Sequence, residues 1–154
     1  MAEFQKIMIP YDFSEHAQAA LHLGVELARR LNATLTLVHV IQPPAYAYGY
    51  PAPAGTAVAL PNLLELQQNA RSGLRELIDR IELPKDAIEI DVLEGNNISE
   101  ALCQAAEKHG ADLLVMGTHG RTGLAHAFIG SVAERTLRSS PCPVLTVKDS
   151  SDGG

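Results

Sequence analysis

The sequence predicts a single α/β domain built on an open, five-stranded, Rossmann-like parallel sheet with helices on both faces. Three observations lead there. Short runs rich in β-branched and aliphatic residues alternate with helical apolar stripes from end to end, and that alternation implies parallel strands joined by right-handed crossovers. The run Ala111 to Met116 is almost continuously apolar, as in a strand buried on both sides. The length, 154 residues, is that of one ordinary domain, able to bury roughly two thirds of its unfolded surface.

Phe4 to Pro10, with Ile7, Met8 and Ile9, reads as the first strand and stops at its proline. Beyond Asp12, residues Ala17, Ala20, Leu21, Val25, Ala28 and Leu31 recur at three- and four-residue spacing, which predicts a helix with Ser14 as its N-cap. Ala33 to Ile41 is the second strand. From Gln42 to Pro61 five prolines, three tyrosines and two glycines show no periodicity, so this span is expected to be a long loop, a mobile flap on the ligand side. A second helix runs from about Asn62 to Glu82 with the stripe Leu63, Leu66, Ala70, Leu74, Leu77 and Ile81, and Leu83-Pro84 ends it. Ala87 to Leu93 is the third strand. Asn97 and Glu100 have capping-box spacing at the start of a third helix that finishes near Gly110. Ala111 to Met116 is the fourth strand, Ser131 to Arg138 a last helix with Ser131 and Glu134 as a second capping pair, and Pro143 to Val147 the fifth strand. Residues 1–148 thus form the domain, and 149–154 are a polar tail expected to be disordered.

Composition excludes several functions. With 12 Lys+Arg against 18 Asp+Glu the formal net charge is -6, which disfavours nucleic acid and anionic membranes as partners. A small anionic ligand stays compatible, because helix N-terminal amides bind phosphate without basic side chains. Cys103 and Cys142 have neither metal-ligand spacing nor the density of a disulfide framework. The N-terminus lacks signal-peptide features and no apolar run approaches the ~20 residues of a membrane span. The expected location is the cytoplasm. Residues His16, His22, His39, His109 and His126 form no ligand spacing with carboxylates or cysteines, so no zinc site is expected.

In a parallel open sheet, ligands bind beyond the carboxyl ends of the strands where strand order reverses. The residues there are Asp12, Val40 to Gln42, and Gly117 onward. The fourth strand is followed by Gly117-Thr118-His119-Gly120-Arg121-Thr122-Gly123, and Gly130-Ser131-Val132 opens the last helix. Glycines let a ligand approach main-chain amides, and a helix N-terminus attracts phosphate. The same segment is also compatible with a turn that only reverses the chain, Asp12 with a helix-entry residue, and His119 and Arg121 with solvated loop side chains. A Walker loop is excluded because Gly-Lys-Ser/Thr is absent, and a dinucleotide fingerprint because Tyr11-Asp12-Phe13 follows the first strand. A flavodoxin-like carrier would likewise need a phosphate loop there.

These residues resemble the universal stress protein family, whose ATP-binding members carry Gly, two residues, Gly, nine residues, Gly, then Ser or Thr. Gly117, Gly120, Gly130 and Ser131 match that spacing. The likeness extends to Ile9-Pro10-Tyr11-Asp12-Phe13-Ser14, Leu37-Val38-His39-Val40 and Pro141-Cys142-Pro143-Val144-Leu145-Thr146-Val147, nearly the whole chain. It implies strand order 3-2-1-4-5 and a nucleotide site of Pro10, Tyr11, Asp12, Val40, Met116, Gly117, Gly120, Arg121, Gly130, Ser131 and Val132. Asp12 and the Val40 backbone would hold the adenosine end, with Met116 and Gly117 lining adenine and ribose. Gly120, Gly130, Ser131 and Val132 would hold phosphates, with Mg2+ or Mn2+. Tyr11 departs from the small or β-branched residue common in the family, and its ring could narrow the pocket or stack nearby. The resemblance further implies a homodimer through the closing strand and a nucleotide-dependent switch in the stress response; the alternative is an interaction protein with a vestigial pocket. No carboxylate lies between Gly117 and Val132 to orient water, so at most weak ATPase or autophosphorylating activity is expected.

Overall fold

Residues 3–55, 62–119 and 129–149 are described by a computed structural model. Strand β1 (Lys6–Pro10) leads into α1 (Glu15–Leu31), β2 (Thr34–Ile41), a 3-10 turn (Ala45–Tyr48), α2 (Leu63–Ile78), a second 3-10 turn (Lys85–Ala87) and β3 (Ile88–Glu94). Helix α3 (Ile98–His109), β4 (Leu113–Gly117), α4 (Ser131–Ser139) and β5 (Val144–Val147) complete the order. The five strands form one sheet in the order β3-β2-β1-β4-β5, every described pairing parallel.

Side-chain alternation builds two cores. Ile7, Ile9, Leu35, Leu37, Leu113 and Val115 point to the face covered by α1 and α2, where Ala20, Leu21 and Leu74 meet them. Met8, Val38, Leu114 and Met116 point to the opposite face, against Leu102, Ala105, Ala106 and Ala133 of α3 and α4. Burying each such aliphatic side chain contributes roughly 1.5–3 kcal/mol, so the sheet is held from both sides.

Element boundaries differ from expectation where nonlocal bonds intervene. The amides of Gln5 and Lys6 donate to the Asp112 carboxylate at 2.8 and 3.0 Å, and β1 begins there, at Lys6, rather than at Phe4. Helix α2 stops at Ile78, short of Glu82, because the Lys85 ammonium takes the Ile78 carbonyl at 2.9 Å and the Asp79 carboxylate at 3.0 Å. The Ala111 amide still closes α3, donating to the Ala106 carbonyl at 2.9 Å, so β4 begins only at Leu113. Within the expected flap, Ala45–Tyr48 is a 3-10 turn and Gln42 Nε2 donates to the Asn96 carbonyl at 2.9 Å. Residues 56–61 of that flap, and 150–154 of the expected tail, lie outside the described residues.

Candidate functional site

Strand order reverses between β1, which is followed by β2 on one side, and β4, which is followed by β5 on the other. A cavity of about 780 Å³ lies over the carboxyl ends of these strands, at the position such sheets offer to ligands and within the size range of small-molecule sites. Pro10, Tyr11, Asp12, Val40, Met116, Gly117, Gly130, Ser131 and Val132 all line it. Gly120 and Arg121 lie outside the described residues.

Asp12 has a structural task as well as a place in the cavity wall. Its Oδ1 accepts from the Ser14 amide at 3.0 Å and from the Ser14 hydroxyl, while Ser14 Oγ accepts from the Ala17 amide at 3.1 Å. The pair therefore builds the entry to α1 and aims that entry at the cavity. Tyr11 lines the cavity while lying buried in the core facing α1 and α2. Its hydroxyl donates to Gln18 Oε1 at 2.6 Å. Burial, then the neighbouring Asp12 carboxylate, raises the Tyr11 phenol above its ordinary range, so it stays a proton donor.

The residue between Asp12 and Ser14 was not anticipated. Phe13 takes a left-handed backbone, φ 64°, which a bulky side chain adopts at a cost of about 1–2 kcal/mol. Its ring meets Tyr11 (centroids 5.1 Å, 74°) and His39 (5.2 Å, 66°) edge to face. His39 is buried and fixed, with Nδ1 donating to the Tyr11 carbonyl at 2.8 Å. On the other side of Phe13 stands Gly73 of α2, where a Cβ would fall 3.0 Å from Phe13 Cε1. Gly73, a glycine in the interior of α2, was the one sequence signal for this close approach.

Two motif glycines have definite steric reasons. A Cβ at Gly117 would lie 2.8 Å from the His16 carbonyl oxygen, so β4 ends against the backbone of the first turn of α1. At Gly130 a Cβ would lie 3.0 Å from the Thr118 carbonyl oxygen, to which the Gly130 amide donates at 2.6 Å. That bond ties the start of α4 to the end of β4.

The expected capping pair of Ser131 and Glu134 does not form. Gly130 is the N-cap, at φ -62° and ψ 153°, and it has no side chain to cap with; Ser131 is the first residue of the helix. Helices α1, α2 and α3 are capped by side chains of Ser14, Asn62 and Asn97. Among the described residues helix α4 has no side-chain cap, so the first amides of the helix that borders the cavity are left to other acceptors. Beside them His119 lines the cavity, its Nδ1 3.0 Å from Thr118 Oγ1 and its Nε2 buried without a hydrogen-bond partner among the described residues. The lining also includes Ile98 and Leu102 of α3 and Leu66 and Asn69 of α2, none of which carries a motif that sequence reading could single out.

Known proteins share this arrangement along nearly the full chain. The profile of the Universal stress protein family matches residues 3–148. A universal stress protein of Thermus aquaticus is 34% identical over 146 residues, covering 94% of this chain and 99% of the relative. One from Methanocaldococcus jannaschii is 33% identical over 145 residues, covering 94% and 82%. Among solved structures, the universal stress protein UspA of Lactobacillus plantarum has TM-score 0.76 at 25% identity, covering 96% of this chain and 99% of its own. A universal stress protein in complex with cAMP has TM-score 0.66 at 25% identity, covering 96% and 98%. By sequence, strand order and the cavity at the strand reversal, this chain belongs to the universal stress protein family.

Proposed function

We propose that the chain binds an adenine nucleotide, ATP in the first place, and serves as a homodimeric nucleotide-dependent switch in a cytoplasmic stress response. The observation that carries this reading is the N-terminus of α4: without a side-chain cap among the described residues, it borders a 780 Å³ cavity at the strand reversal. Free helix amides beside His119 Nε2, unpartnered among the described residues, favour an anion, and the apolar lining of Val40, Ile98, Leu102 and Met116 favours an aromatic base. A relative of the same fold is in complex with cAMP, which supports the adenine assignment.

In this reading Asp12 and the Val40 backbone hold the adenosine, Met116 and Gly117 line base and ribose, and Gly130, Ser131 and Val132 hold phosphates, with Gly120 and Arg121 from the intervening segment. The described residues contain no group of three His, Cys, Asp or Glu that could hold a metal ion. Mg2+ or Mn2+ would therefore arrive on the phosphates. With no carboxylate between Gly117 and Val132 to orient water, turnover is slow or nil.

Gly130→Asp tests the site. Its Cβ would lie 3.0 Å from the Thr118 carbonyl oxygen, and its carboxylate adds a negative charge against the phosphates. A ligand at 100 times its Kd stabilises by about 2.7 kcal/mol, several degrees of melting temperature for this size of domain. Wild type should show that shift with MgATP and Gly130→Asp should not, while melting cooperatively at a slightly lower temperature because the 3.0 Å contact must relax. If wild type shifts with no adenine nucleotide, and mass spectrometry finds none released on denaturation, the chain is an interaction protein with a vestigial pocket.

A further inference from the structure

The aromatic cluster at the end of β1 has no part in the phosphate site. Phe13 and Leu66 are the two large apolar side chains that line the cavity and remain well exposed, Phe13 at 47%. Phe13 keeps that exposure in a backbone conformation unfavourable for its type. Strain and exposure at one cavity-lining residue, held in place from three sides by Tyr11, His39 and Gly73, are the marks of a residue positioned for a ligand.

We propose that Phe13 is a stacking platform for the nucleobase and sets the preference of the site for nucleotides over other phosphates. This rests on the nucleotide-binding reading above. The ring follows directly on Asp12, the residue that the reading above sets against the adenosine. Tyr11 and His39 are buried, so Phe13 is the exposed ring of the three. They brace Phe13 from behind. Gly73 leaves the space the ring occupies, because any side chain there would push against Cε1 and Cζ. An aromatic face so held takes up a planar base with little loss of side-chain entropy.

The chain contains no tryptophan, so Phe13→Trp installs a lone fluorophore at the proposed contact. MgATP should change its emission, with affinity within a few fold of wild type. Phe13→Leu should weaken MgATP about tenfold or more by calorimetry, as expected for loss of one base-aromatic stack, at an unchanged folded circular dichroism spectrum. Gly73→Ala should raise helix propensity yet lower nucleotide affinity by displacing the ring. Unchanged ATP affinity in Phe13→Leu would overturn the platform. So would a silent tryptophan at saturating MgATP. If wild type binds no nucleotide, the underlying reading falls and the platform with it; if wild type binds and Phe13→Leu binds equally, only the platform falls.

Discussion

Gly117 and Gly130 look alike in the sequence but answer to different neighbours. Both were read as room for a ligand. Around Gly117 the nearest obstacle is the backbone of His16, 2.8 Å from where a Cβ would stand, and no local pattern records that approach across a hundred residues of chain. Gly117→Ala should therefore destabilise the fold by about 1–3 kcal/mol, as overpacking does, seen as a lower urea midpoint without ligand. If its midpoint equals that of wild type, the steric account of this glycine is wrong. Phe13 escaped notice for a related reason: a positive φ at a bulky residue cannot be inferred from its identity. By contrast Asp12, Val40, Met116 and Ser131 were legible, since each follows directly from strand ends and helix starts that hydrophobic spacing already marks.

Helices and strands were readable wherever their limits are set locally. Ser14, Asn62 and Asn97 cap their helices because the acceptor and the amide it serves are three residues apart. Ser131 was misassigned because the start of α4 is fixed by a bond from Gly130 back to Thr118. The C-terminus of α3 shows a second nonlocal device. Lys108 and His109, in its last turn, donate to Asp91 Oδ2 of β3 at 2.9 and 2.7 Å, and basic groups at a helix C-terminus also suit its dipole. Burial alone would raise the Asp91 carboxyl, but the bonds from Lys108 and His109 outweigh it and hold it below the ordinary range. A depressed carboxyl contributes stability that is complete above its unfolded pKa, ~3.9, and is lost as pH falls through the lower folded value. Asp91→Asn should cost about 1–3 kcal/mol at pH 7, with the gap to wild type closing as the pH is taken well below 4. A gap that persists in strong acid would point to packing in place of charge.

At the scale of the molecule, the sheet has two edges of unlike character. The β3 edge carries Glu89 and Glu94, both exposed, whereas β5 is Val144-Leu145-Thr146-Val147 without a charge. Bare apolar edges invite pairing and charged ones resist it, which supports the proposed dimer through β5. Leu145, inside that strand, is the wrong place to test it. The carbonyls of Pro143 and Val147 accept from Leu114 and Thr118, so alternate residues 143, 145 and 147 face β4 while Val144 and Thr146 turn their amides outward. Thr146→Pro removes an outward donor and leaves the β4 ladder whole. It should shift the sedimenting species from dimer toward monomer, and an unchanged mass would send the interface elsewhere. The asymmetry of the edges also limits growth. Two copies joined β5 to β5 about a two-fold axis use the same edge twice, and what they leave outside at both ends is the acidic strand. Such a sheet, ten strands long, would end on like-charged strands that resist the pairing by which a third copy could extend it into a filament.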